Sequence, residues 1–150
     1  MSALRYLYSL SVSGVVWLIA GLYLGNYLTD TITFQEMTPE DFSSIFKIVM
    51  VACSSFGFVL TSIWFIYGST ESVTLKMGKA KNVWVINFII SLIASIVAVV
   101  IMGVICKAES LEPLNYVIIS LCSFLTLCFN YWICTFFWSP PNVKYIPLFK

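Results

Sequence analysis

Histidine is missing from this chain, and arginine occurs once, at Arg5. The first absence removes the commonest general acid–base and the commonest metal ligand. The second argues against any phosphate or carboxylate site built on guanidinium forks. Charged residues make up only 10% of the 150 positions, against about 25% in soluble domains. That is too little charge to cover a water-facing surface. A net charge of +1 leaves no basic footprint for nucleic acid. The five cysteines, Cys53, Cys106, Cys122, Cys128 and Cys134, form no CxxC pair and sit in or at the edge of apolar runs. They read as small buried hydrophobes. Neither catalysis nor a cofactor or metal is expected of such a chain.

What the sequence does have is apolar length. Hydrophobic residues are 60% of the chain, gathered into four stretches at about 6–27, 43–67, 83–106 and 114–138, each long enough to cross a bilayer. The expected fold is an all-α membrane protein, a single domain of four transmembrane helices in an antiparallel bundle, with a short tail over 139–150. The first stretch exceeds 20 residues, longer than the roughly 7–15 of a signal peptide's apolar region, and is expected to stay as a helix. Thr38-Pro39-Glu40-Asp41 reads as a helix start: a capping hydroxyl, proline at the first helical position, and two acids at the positive end of the dipole. Running from there to about Tyr67, the second helix would be about 45 Å long and would protrude from the lipid, placing Lys47 near the headgroups, where its stem can snorkel. Gly68 is expected to end it. Ser69–Asn82 then forms a loop, and Asn82 caps the third helix. Lys107–Pro113 makes a short turn, and Ser139-Pro140-Pro141 stops the fourth helix.

Orientation follows the lysine and arginine count. Arg5, Lys76, Lys79, Lys81, Lys144 and Lys150 lie on one side, and only Lys47 and Lys107 on the other. The expectation is N-in and C-in, with the acidic 29–41 loop outside. Aromatics near the span ends suggest interface belts: Tyr6, Tyr8, Trp64, Tyr67, Trp84 and Trp138 at the inner boundary, and Tyr23, Tyr27, Phe42 and Tyr116 at the outer.

Lipid gives helices no hydrophobic reason to associate, so small and polar residues mark where they touch. Gly21-x-x-x-Gly25, extended back through Trp17 to Ser13 and Ser9, marks the first span. Cys53, Gly57 and Thr61 mark the second, and Ser91, Ala94, Ser95 and Ala98 the third. Each is a close-packing face, either inside one bundle or between copies, and Gly21/Gly25 is the candidate face for a homo-oligomer. The fourth span carries Cys122, Thr126, Asn130 and Cys134 at i, i+4, with Ser123 adjacent. An unpaired amide in lipid costs several kcal/mol, so Asn130 needs a partner. That partner is a Ser, a Thr or a carbonyl of another helix, or else the stripe lines a pore or a small-ligand cavity. No acid or base joins the stripe, as proton relays and coupled transporters would require.

Two cytosolic surfaces remain for contacts with lipid or a partner: Lys76, Lys79 and Lys81 in the inner loop, and Tyr145, Ile146 and Phe149 in a tail too apolar to be a solvated disordered segment. The arginine-dependent glutathione enzymes of four spans are excluded by the lone Arg5. Quinone-linked thiol oxidases are excluded by the lack of outer cysteine pairs, and small multidrug transporters by the absence of any acid in Met1–Tyr27. In size and topology the chain resembles small bacterial inner-membrane proteins of colicin immunity, of exclusion in conjugation, and of the Kiwa anti-phage system, whose membrane subunit is KwaA. The last resemblance implies a homo-oligomeric inner-membrane sensor that holds a cytosolic DNA-binding effector against the membrane. The expected function is thus a non-catalytic oligomeric sensor or anchor with a cytosolic effector as partner and no direct contact with nucleic acid. The alternative is a small oligomeric pore lined by the fourth-span stripe.

Overall fold

A computed structural model describes residues 2–32, 37–70, 77–106 and 112–138. Among these there is no strand, and four helices are long and apolar enough to cross a membrane: Leu4–Thr31, Pro39–Tyr67, Lys81–Ile105 and Pro113–Phe137. The first span is built from α1 (Ser2–Trp17), a π-helical segment (Leu18–Tyr23) and α2 (Leu24–Thr31). The second is α3 (Pro39–Thr70) and the third α4 (Met77–Ile105). The fourth joins α5 (Pro113–Phe124), a π-helical segment (Leu125–Phe129) and α6 (Asn130–Phe137).

The start of α3 shows why local chemistry places it there. Pro39 opens the helix, whose first turn carries Glu40 and Asp41. The Thr38 hydroxyl accepts the Asp41 N–H at 3.1 Å and donates to its carboxylate at 2.7 Å. This satisfies an otherwise orphaned amide. With 32 residues, α3 is about 48 Å long, well beyond a hydrocarbon core of about 30 Å.

Two expected boundaries are corrected. Gly68 does not stop the second helix, which continues to Thr70, and Asn82 is not a cap, because α4 already begins at Met77. A glycine near the end of a long helix costs only about 1 kcal/mol relative to alanine, too little to terminate one held by its neighbours. Lys79 and Lys81 therefore stand on helix rather than in a loop.

The spans alternate in direction. Ser9 and Ser13 of the first meet Cys134 and Asn130 of the fourth, while Thr31 meets Asn115 at the opposite end. The second and fourth spans pack on each other and on both remaining spans, which flank this central pair. The largest apolar core lies towards the Asp41 end, around Leu28, Ile32, Phe42, Phe46, Met50, Met102 and Ile119. At the opposite end Trp138 is sandwiched among Phe65 (ring centroids 4.6 Å), Phe58 (5.8 Å) and Tyr6 (5.1 Å).

Three residues expected at the lipid interface are instead interior. Phe42 and Trp64 are fully buried and Trp84 nearly so. Large rings near the span ends fill the bundle as well as a belt would. Tyr6, Tyr8, Tyr23 and Tyr27 do remain exposed.

Candidate functional site

Cys122, Thr126, Asn130 and Cys134 are all fully buried and face the centre of the bundle. Local backbone geometry contributes to their placement. The Thr126 hydroxyl donates to the carbonyls of Cys122 at 2.9 Å and Ser123 at 3.2 Å, a back-bonding that competes with the helix ladder. Over the next residues the ladder loosens to π, and the Asn130 backbone N–H reaches back to the carbonyls of Leu125, five residues earlier, and of Leu127. The widened turn packs closely against a neighbour on the second span.

Gly57 of α3 is that neighbour. A Cβ on it would lie 3.3 Å from both the Thr126 and Leu127 carbonyl oxygens and 3.4 Å from the Asn130 amide nitrogen. Glycine lets backbone approach backbone here, where a methyl would press on two carbonyls.

Asn130 joins three spans. Its amide donates to the Ser13 hydroxyl at 3.0 Å and to the Ser54 carbonyl at 3.2 Å. Its carbonyl accepts the Cys134 thiol at 3.3 Å. One turn on, Ser9 and Cys134 pair reciprocally: the Ser9 hydroxyl donates to the Cys134 carbonyl, and the thiol reaches the Ser9 carbonyl, both at 3.4 Å. The Thr126 hydroxyl also lies 3.8 Å from the Met50 sulfur. The stripe is thus knitted into the first and second spans, with its polar atoms turned towards them.

A second polar cluster ties the third span to the second and fourth. The Trp84 indole N–H donates to the Thr135 hydroxyl at 3.1 Å, and the Tyr131 hydroxyl donates to the Trp84 carbonyl at 3.3 Å. The Asn87 amide donates to the Leu60 carbonyl at 3.2 Å. The Ser91 hydroxyl donates back to the Asn87 carbonyl at 3.0 Å, and Ser95 is buried one turn further along. Sequence reasoning named Ser91 and Ser95 but missed Asn87, although Asn87, Ser91 and Ser95 share one i, i+4 face. It also missed Ser54, Tyr131 and Thr135.

The remaining packing residues fall inside the subunit. Cys53 packs with Ala98 and Leu127. Gly21 is covered by the Trp17 ring, whose indole nitrogen would be 2.9 Å from a Cβ, and a Cβ on Gly25 would meet the Phe46 ring at 2.9 Å. Both glycines are buried. The Gly25 face, proposed from the sequence for contact between copies, is occupied by this chain's own second helix. Lys81 is exposed on α4; Lys79 lies on the same helix. Lys76, Tyr145, Ile146 and Phe149 lie outside the described residues.

Cys106, just beyond the third span, is half-buried, and burial pushes its thiol up to about 11, far from the range of a reactive thiolate at neutral pH. Among the described residues no group of three or more Cys, Asp or Glu gathers in a metal-ligating arrangement. Two open grooves run along the lipid-facing sides. One, of about 590 Å³, lies between the second and third spans and is lined by Ala52, Cys53, Phe56, Ala94, Val97 and Ala98 among others. The other, of about 530 Å³, lies between the first and second spans, over Ser13, Gly14, Ser54 and Ser55. No family model, curated protein or solved structure matches this chain.

Proposed function

We propose that the protein is a non-catalytic integral membrane anchor or sensor of a bacterial inner membrane. In this reading it is oriented N-in and C-in, assembled from several copies, and docks a cytosolic effector in an immunity or anti-phage role. One observation carries the reading: Asn130, the most polar group deep in the fourth span, donates both amide hydrogens to neighbouring spans of its own subunit. A stripe whose hydrogen bonds are used internally supports a structural role for the bundle centre rather than a conducting one. Contacts with partners then fall to the aqueous ends and to the outer helix faces. At the inner end, Lys76, Lys79 and Lys81 suit anionic lipid or an acidic partner, at about 1 kcal/mol per lysine near an anionic surface. Tyr145, Ile146 and Phe149 suit an apolar partner pocket.

The test is ion flux in vesicles of purified full-length protein, together with deletion of 142–150. The anchor reading expects silent vesicles, and a truncated chain that inserts and assembles but loses its biological effect. Conductance that Asn130→Leu abolishes and the truncation spares would replace the anchor with a pore.

A further inference from the structure

Hydrogen bonds between the spans are unevenly placed along the bundle. Towards the Trp138 end, Ser9 and Ser13 of the first span bond to Cys134 and Asn130 of the fourth. Asn130 also reaches the Ser54 carbonyl of the second, and Trp84 of the third bonds with Thr135 and Tyr131. Towards the Asp41 end the packing around Leu28, Phe42, Phe46, Met102 and Ile119 is apolar. There the Thr31 hydroxyl donates to the Asn115 side-chain carbonyl at 3.4 Å, again joining the first span to the fourth. Directional bonds hold a helix in place, whereas apolar contacts permit small sliding of packed helices.

The boundary between these halves falls on the two π-helical segments. Leu18 begins one and Leu125 the other, at the midpoints of Leu4–Thr31 and Pro113–Phe137. The antiparallel pairing of Ser9 with Cys134 and of Ser13 with Asn130 sets these two leucines level with each other. From that level Leu18–Tyr23 runs towards the Asp41 end and Leu125–Phe129 towards the Trp138 end, and each packs on the other span. In both, a backbone N–H reaches five residues back, from Leu24 to Ile19 and from Asn130 to Leu125. α3 and α4 are unbroken α-helix throughout. Kinks gather at such π turns, so two neighbouring spans share one weak level beside two continuous helices.

Bonding capacity is unused at that level. The Trp17 indole N–H, directly before one π segment, and the Ser123 hydroxyl, two residues before the other, are buried without a hydrogen-bond partner. The hydrocarbon core holds no water to supply one. A second arrangement in which either group meets a carbonyl is favoured by the bond it gains.

We propose that the two π segments form a joint at the middle of the membrane. About it α2 and α5, linked by Thr31 and Asn115, move together against α3 and α4, while α1 and α6 stay locked. The proposal rests on the sensor reading for its purpose: it gives an event at the Asp41 end a moving part that reaches the bundle centre. The movement has the size of a helix shift, about 1–2 Å.

Electron–electron resonance distances between nitroxide-labelled cysteines in the full chain test it, with the labelled wild-type chain as background. One pair is Tyr27→Cys on α2 with Val104→Cys on α4; the other is Tyr8→Cys on α1 with Ile86→Cys on α4. All four positions are exposed. The Tyr27–Val104 pair should show two distances at least about 2 Å apart, and the Tyr8–Ile86 pair one. Deleting Ile19 and Phe129, one residue from each π segment, returns the turns to α spacing and should leave the Tyr27–Val104 pair with a single distance. A single Tyr27–Val104 distance in the undeleted chain, or an equal spread at Tyr8–Ile86, overturns the proposal whether or not the deleted chain folds. Two distances that persist in a folded deleted chain overturn it as well. None of these failures touches the anchor reading, which is judged by ion flux and the tail deletion. Conductance in the flux assay would remove that reading and leave the joint standing if the two distances remain.

Discussion

Asn130 on the fourth span donates to the Ser13 hydroxyl on the first at 3.0 Å, while its second amide hydrogen goes to the Ser54 carbonyl on the second. One side chain thereby fixes the relative depth of three helices. In hydrocarbon the alternative to these bonds is an unsatisfied amide.

Replacing Asn130 by leucine removes both bonds and strands the Ser54 carbonyl's extra acceptor capacity. Bonds between membrane helices average about 0.6 kcal/mol and reach about 1.7. The expected loss is therefore about 1–3 kcal/mol in reversible denaturant unfolding in micelles. A double-mutant cycle between Ser13→Ala and Asn130→Ala should give a coupling of at least about 0.5 kcal/mol. Strict additivity would mean that the pair does not interact.

Gly57 and Gly14 make a matched contrast. Gly57→Ala sets a methyl 3.3 Å from two backbone carbonyls that cannot rotate away. The second and fourth spans must separate slightly, weakening the Asn130 bonds as well, at an expected cost of about 1–3 kcal/mol. Gly14→Ala meets open space and gains helix propensity, so the fold itself should be unchanged or slightly more stable. Equal effects at the two positions would contradict the packing of α3 on the fourth span.

The features legible in the sequence were those fixed by chemistry local to one segment. Apolar length set the four spans, and Thr38 with Pro39 and Asp41 set the start of α3, because a cap forms with its own next turn. Asn130 announced a need for a partner through its amide alone. What stayed hidden depended on which helix sits next to which. Gly25 looks the same whether it meets a second copy or Phe46. Phe42 and Trp64 look like belt residues until the neighbouring helices close over them. The end at Gly68 failed for a related reason: tertiary packing carries α3 past a weak local stop. Asn87 was readable through its i, i+4 relation to Ser91 and Ser95. It lay near the edge of the expected span, where a polar residue calls for no partner.

Cys106 offers a chemical check on burial at the end of the third span. Burial disfavours its thiolate and raises the thiol from 9.0 to about 11. Below pH 9 its thiolate fraction should be about 100-fold lower than that of an unperturbed thiol, and alkylation correspondingly slower. The rate should climb about tenfold per pH unit up to pH 11. A rate that levels off near pH 9 would mean that the thiol is solvated.

Orientation yields the last prediction. The sequence assigns six basic residues, Arg5, Lys76, Lys79, Lys81, Lys144 and Lys150, to one side of the membrane in the four-span reading, against Lys47 and Lys107 on the other. Basic residues near span ends are retained on the cytoplasmic side. The acids do not set topology, but Glu40 and Asp41 at the start of α3 then lie outside. Single cysteines test this at two positions exposed in the structure, Glu40 and Asn82, which lie at opposite ends of the bundle. In intact cells a membrane-impermeant maleimide should modify Glu40→Cys and spare Asn82→Cys until the membrane is opened. The wild-type chain sets the background, since four of its five cysteines are buried. The reverse pattern would invert the protein, place the lysine-bearing start of α4 outside the cell, and remove the cytosolic docking surface on which the anchor reading depends.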